Sequence, residues 1–167
     1  MKMIKSILVP TDFSDFSLAA MEYAKSFSII FNTRIYMIHV VSGFPVLATS
    51  YMDADSETML KDLEDAASKE LNEFMNAKLP KDHNVVLVVR RGEVYSEIIK
   101  FAQEEKIDLI VLSTHGRTGL SHLLMGSVAE KVVRHSPIPV LIVKPETLRG
   151  TLLDEKDIEE QLHMKLE

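Results

Sequence analysis

The chain has 167 residues, 46% of them hydrophobic and 26% charged, the composition of one globular domain with a sizeable core. A net charge of −6 argues against general affinity for nucleic acid or for an anionic membrane surface. There is no cysteine, which excludes disulfides, thiolate metal sites and cysteine nucleophiles, fits a reducing compartment, and leads to the expectation of a cytoplasmic protein.

In chain order, Met1 to Val9 faintly mimics a signal peptide, but Lys5 interrupts its apolar stretch and Pro10-Thr11-Asp12 ends it. Ile7 to Val9 is read instead as a first strand. Phe16, Ala20, Tyr23, Ala24, Phe27 and Phe31 then recur at helical spacing, with Asp12 or Ser14 as the cap. A second strand spans Ile35 to Val41. The connection from Val41 to Asp55 carries Phe44, Val46, Leu47, Tyr51 and Met52, which suits either a functional flap or a loop packed on its own domain. A second helix follows from Leu60, Leu63, Ala67, Leu71 and Phe74, with Ser56 as its expected cap. Val85 to Val89 reads as a strand, Val94, Ile98, Phe101 and Ala102 as a helix stripe, and Leu109 to Leu112 as the fourth strand. Val128 to Arg134 is helical and Val140 to Val143 is the last strand. Beyond Pro145, Leu152 to Leu166 forms an acid-rich, weakly amphipathic helical pattern, so residues 146–167 are expected to extend a domain of residues 1–145.

The strand runs are rich in β-branched residues and nearly continuously apolar, as strands covered on both faces are. Alternating with helices, they predict an α/β, doubly wound (Rossmann-like) five-stranded parallel sheet with helices on both faces. No apolar run approaches the roughly 20 residues that span a bilayer, so no membrane role is expected. In such folds ligands bind beyond the carboxyl ends of the strands, where strand order reverses. Pro10-Thr11-Asp12, Val40-Val41 and the loop after Leu112 all fall at such ends.

That loop carries the strongest chemical signal. Three of the six glycines, Gly116, Gly119 and Gly126, lie between the fourth strand and the next helix, and Ser127 follows directly. A glycine turn exposes backbone N–H groups, and a helix N-terminus adds unpaired N–H groups and a positive dipole end. Together they make a phosphate cradle that needs no lysine. The alternative is a tight strand-to-helix connection with a serine cap and no ligand. No Walker A lysine follows any glycine at the required spacing, and the G-x-G-x-x-G dinucleotide fingerprint is missing.

The spacing Gly116, nine residues, Gly126-Ser127 resembles the nucleotide loop of the universal stress protein family, whose pattern is G-x2-G-x9-G-[ST]. Val9-Pro10-Thr11-Asp12-Phe13-Ser14, His39-Val40-Val41 and Pro139-Val140-Leu141-Ile142-Val143 resemble the same family in the same order. One position departs: Ser113 stands where the pattern has its first glycine, and serine lacks glycine's freedom at positive φ. The resemblance implies that Ser113, Gly116, Gly119, Gly126, Ser127 and Val128 hold the triphosphate of ATP, and Mg²⁺ is expected to accompany it. It further implies that Pro10, Thr11 and Asp12 lie beside the nucleoside, and that Val40 presents its backbone to the adenine edge. It also implies a homodimer through the last strand, Val140, Leu141, Ile142 and Val143.

The remaining residues leave alternatives open. Asp12 suits a helix cap and also a ribose hydroxyl. Arg117 either pairs with a phosphate or points into solvent. His115 either donates to the anion or orders the loop, and His39, inside a strand, reads as a structural residue. The six histidines show no metal-ligand spacing, and no G-x-S-x-G elbow supports a hydrolase triad. Two functional classes follow: an ATP-binding stress-response or signalling module acting as a nucleotide-dependent dimer, or a slow ATPase or phosphotransferase. Phosphoryl transfer requires a positioned metal, a base and a charge clamp, and only the cradle is visible, so binding is the expected role. A dimeric scaffold without ligand is the third reading, resting on Ser113.

Overall fold

Each of the five apolar runs forms a strand, and a helix lies between each consecutive pair. In chain order these are β1 (Ser6–Pro10), α1 (Asp15–Phe31), β2 (Arg34–Val41), α2 (Ala54–Lys78), β3 (Val85–Arg91), α3 (Val94–Glu104), β4 (Leu109–Ser113), α4 (Ser127–His135) and β5 (Val140–Val143). The computed structural model describes residues 3–42, 54–78, 85–114 and 125–144. The expected helix at Leu152 to Leu166 and most of the connection from Val41 to Asp55 lie outside the described residues.

The sheet has the order β3-β2-β1-β4-β5, and every pair is parallel. The chain therefore winds outward from β1 to β3, crosses back to β4 beside β1, and continues to β5. Successive side chains along a strand point to opposite faces. Ile7, Val9, Ile35, Met37 and Val111 meet Ala20, Met21 and Ala24 of α1 and Leu71 of α2 on one face. Leu8, Ile38, Val40, Ile110 and Leu112 meet Ile98, Phe101 and Ala102 of α3 and Ala129 and Val132 of α4 on the other. The doubly wound arrangement with helices on both faces is as the sequence predicts.

Local chemistry sets the helix limits. Ser14 caps α1, its hydroxyl accepting from the Ser17 N–H, and Asp15 places a negative charge on the first turn. Asn32 ends α1 in the left-handed region at φ 53°, a conformation its short polar side chain tolerates. Ser56 lies inside α2, two residues past its start, so it is not the cap the sequence suggests. Ser127 is likewise the first residue of α4, and Gly126 occupies the cap position.

Two expectations about burial are corrected. Tyr23 and Phe31 of the α1 stripe are 40% and 48% exposed, because Ala20, Met21 and Ala24 define the centre of the buried face. The outer strands β3 and β5 are only partly buried, since each has a neighbour on one side alone. Among the described residues, no helix is long and apolar enough to cross a membrane.

Thr33, at the turn into β2, is 3% exposed and its Oγ1 has no hydrogen-bond partner among the described residues. A buried hydroxyl left unpaired costs about 1–3 kcal/mol. Thr33→Val keeps the β-branched shape and removes that oxygen. We expect it to stabilise the protein by about 1 kcal/mol and raise Tm by about 2–4 °C in thermal unfolding. A lower Tm would mean that water satisfies the hydroxyl.

Candidate functional site

At the carboxyl end of β1 the chain makes a tightly bonded turn into α1. The Thr11 N–H donates to the Ile38 carbonyl (2.9 Å), extending the ladder with β2 by one step. Thr11 Oγ1 accepts from the Phe13 N–H (3.0 Å) and pairs with the Ser17 hydroxyl (2.9 Å). Asp12 Oδ1 accepts from both the N–H and the hydroxyl of Ser14. The two cap candidates thus act in series: Ser14 caps the helix, and Asp12 orients Ser14.

Phe13 has φ 65°, the left-handed region that a bulky aromatic residue rarely adopts. Such a residue costs on the order of 1–3 kcal/mol and persists only where its surroundings hold it. Here its ring stacks on His39 at a centroid distance of 4.2 Å and meets Phe74 edge-on at 5.8 Å. His39 Nδ1 lies 2.9 Å from the Thr11 carbonyl, which can only accept, so Nδ1 carries the proton. His39 is therefore structural in the sense the sequence suggests, with a partner in the turn after β1.

The second wall comes from β4 and α4. The Thr114 N–H donates to the Val143 carbonyl (3.0 Å), and the Gly126 N–H donates to the Thr114 carbonyl (2.7 Å), so α4 starts directly above the end of β4. Gly126 caps α4 at φ −57° and ψ 146°, with no side chain to accept from the first turn. That backbone is open to any residue, so glycine here matters for space rather than for conformation. The first-turn N–H groups of a helix lack intrahelical acceptors and carry the positive dipole end. Ser113 is the last residue of β4, in register with Val143. It occupies ordinary strand backbone, so its replacement of the family's glycine costs no strain there.

Because strand order reverses between β1 and β4, these walls enclose a cleft of about 430 Å³. That volume lies in the range of small-molecule sites. Pro10, Thr11, Asp12, Ser113, Gly126, Ser127 and Val128, all anticipated from sequence, line it together. Val40, whose backbone was expected to meet the adenine edge, is not among the lining residues; its side chain packs on the sheet face covered by α3 and α4, while Ser42, two residues on, reaches the cleft. His115, Gly116, Arg117 and Gly119 lie outside the described residues.

Sequence reasoning missed Ser17, Thr114, Ser42 and the apolar floor of Val94, Ile98, Leu112 and Ala129. Val94 and Ile98 were legible only as a helix stripe. The available signal was that α3 also starts at the carboxyl rim. Among the described lining residues Asp12 is the single ionisable side chain, so the α4 amides are the described groups suited to an anion. No group of three His, Cys, Asp or Glu residues able to hold a metal occurs among the described residues.

A family model, the universal stress protein family, matches residues 3–144. Universal stress protein MJ0531 of Methanocaldococcus jannaschii is 38% identical over 143 residues, covering 84% of this chain and 82% of the relative. Universal stress protein MJ0577 of the same organism is 30% identical over 155 residues, covering 85% of this chain and 96% of the relative. The solved structure of MJ0577 superposes with a TM-score of 0.72 at 28% identity, over 87% of this chain and 99% of that one. A universal stress protein solved in complex with cAMP superposes with a TM-score of 0.56 at 26% identity, over 86% of this chain and 98% of that one.

Proposed function

This chain belongs to the universal stress protein family, and from that premise we propose that it is an ATP-binding stress-response or signalling module that works as a homodimer. The observation that carries this reading is the cleft at the β1–β4 reversal, closed on one side by the glycine-capped start of α4. The first-turn amides of α4, which as in any helix lack intrahelical acceptors, suit phosphate oxygens, and the apolar floor suits a base. The relative solved with cAMP supports an adenine nucleotide as the ligand class.

In this reading Asp12 accepts from a ribose hydroxyl, and the amides of Ser127 and Val128 with the Ser127 hydroxyl meet phosphate; all three residues line the cleft. Magnesium fits as a companion of the triphosphate rather than as a resident ion. It binds phosphates and water with one or two carboxylates at most, and Asp12 is the carboxylate on hand. When bound, it would neutralise phosphate charge. In our reading residues 1–145 form the nucleotide-binding domain, residues 146–167 extend it, and the protein works in the cytoplasm.

Calorimetric titration of the full chain with ATP, with and without Mg²⁺, tests the reading. Saturable heat at one site per chain is expected; no heat with any adenine nucleotide would overturn it. Hydrolysis is expected to run far below the roughly 1 s⁻¹ of an ordinary enzyme, since the described lining offers neither a lysine clamp nor a histidine base. Phosphate release at that rate, persisting through repurification and lost with a Ser127 variant, would establish the ATPase reading instead.

A further inference from the structure

The turn that presents Asp12 is held from the neighbouring strand by one side chain. His39 donates from Nδ1 to the Thr11 carbonyl (2.9 Å) and stacks on the Phe13 ring (4.2 Å between centroids). It thus grips the residue before Asp12 and the residue after it. Phe13 sits at φ 65°, a conformation the turn would not keep unaided. From within, Ser14 fixes the carboxylate by donating its backbone N–H and its hydroxyl to Oδ1. An ionised carboxylate accepts at about four sites, so it can serve Ser14 and a ligand hydroxyl together.

We infer that His39 is a positioning residue, which aims the Asp12 carboxylate into the cleft and thereby sets discrimination for nucleotides that carry ribose hydroxyls. This rests on the nucleotide-binding reading above. His39 itself does not line the cleft, so it acts through the turn rather than on the ligand. The bond to Thr11 and the stack on Phe13 are separable. Asn places an amide N–H near the position of Nδ1 without the ring, and Phe keeps the ring without the donor.

The test is calorimetry of wild type, His39→Phe and His39→Asn with ATP and with 2′,3′-dideoxyATP. Wild type should prefer ATP. His39→Phe should bind ATP about tenfold more weakly, the scale of one well-placed hydrogen bond, and bind dideoxyATP as wild type does. His39→Asn should recover most of the ATP affinity. A purely structural role would instead lower affinity for both nucleotides alike.

Should His39→Phe not fold, the imidazole Nδ1–H resonance of wild type carries the test. ATP should shift it and dideoxyATP should leave it in place; indifference to both overturns the inference. Unchanged ATP affinity in His39→Phe, equal loss of both nucleotides, or a wild type blind to the ribose hydroxyls also overturns it, while leaving nucleotide binding intact. A wild type that binds neither nucleotide removes both readings together.

Discussion

Gly126→Val should abolish detectable ATP binding, with affinity falling at least about a hundredfold, or about 2.8 kcal/mol, while the protein stays folded. Gly126 lines the cleft and opens α4, so its position controls how closely phosphate oxygens approach the first-turn amides. Its φ of −57° and ψ of 146° accept a valine without backbone strain. The bond from its N–H to the Thr114 carbonyl also survives the change. The cost to stability is that of a poorer cap, about 1 kcal/mol, seen as a Tm lower by about 2–4 °C. Calorimetry and thermal unfolding on the same samples separate the two effects. Wild-type affinity in the variant would mean that the ligand sits elsewhere.

Ile142→Pro should convert the proposed homodimer to a monomer. The carbonyls of Pro139 and Val143 accept from Ile110 and Thr114, so the odd-numbered positions of β5 face β4. By the two-residue period of a strand, Val140 and Ile142 turn their N–H and C=O groups to the open edge. The strand carries no charge to discourage pairing, and an edge of this kind must be matched or blunted. Antiparallel pairing of two β5 strands about a twofold axis satisfies both edges at once. Proline at 142 removes an outward donor without touching the ladder to β4, a position edge strands tolerate. Light scattering on the full chain, on Ile142→Pro and on a chain ending after Pro145 reads the result. A full chain that is monomeric and dimerises only when shortened would show that residues 146–167 protect the edge instead.

Much of this was legible in the sequence because it is local. Near-continuous β-branched runs such as Ile7 to Val9 and Leu109 to Leu112 signal a parallel sheet within a few residues, and Ser14 as a cap needs only its own turn. The glycine and Ser127 spacing marked the start of α4, and the cleft gathers seven of the residues picked out in advance. Tertiary structure alone decided the rest. No periodicity says that β4 returns to lie beside β1, yet that adjacency makes the cleft. Likewise, which strands become edges depends on neighbours supplied from far along the chain, so β3 and β5 read from sequence like the buried strands beside them. Phe13 enters the left-handed region against its own preference because His39, 26 residues later, and Phe74, from α2, hold its ring. Propensity is settled within a turn or a strand; strand order and strained rims are settled by packing between segments that only the folded chain brings together.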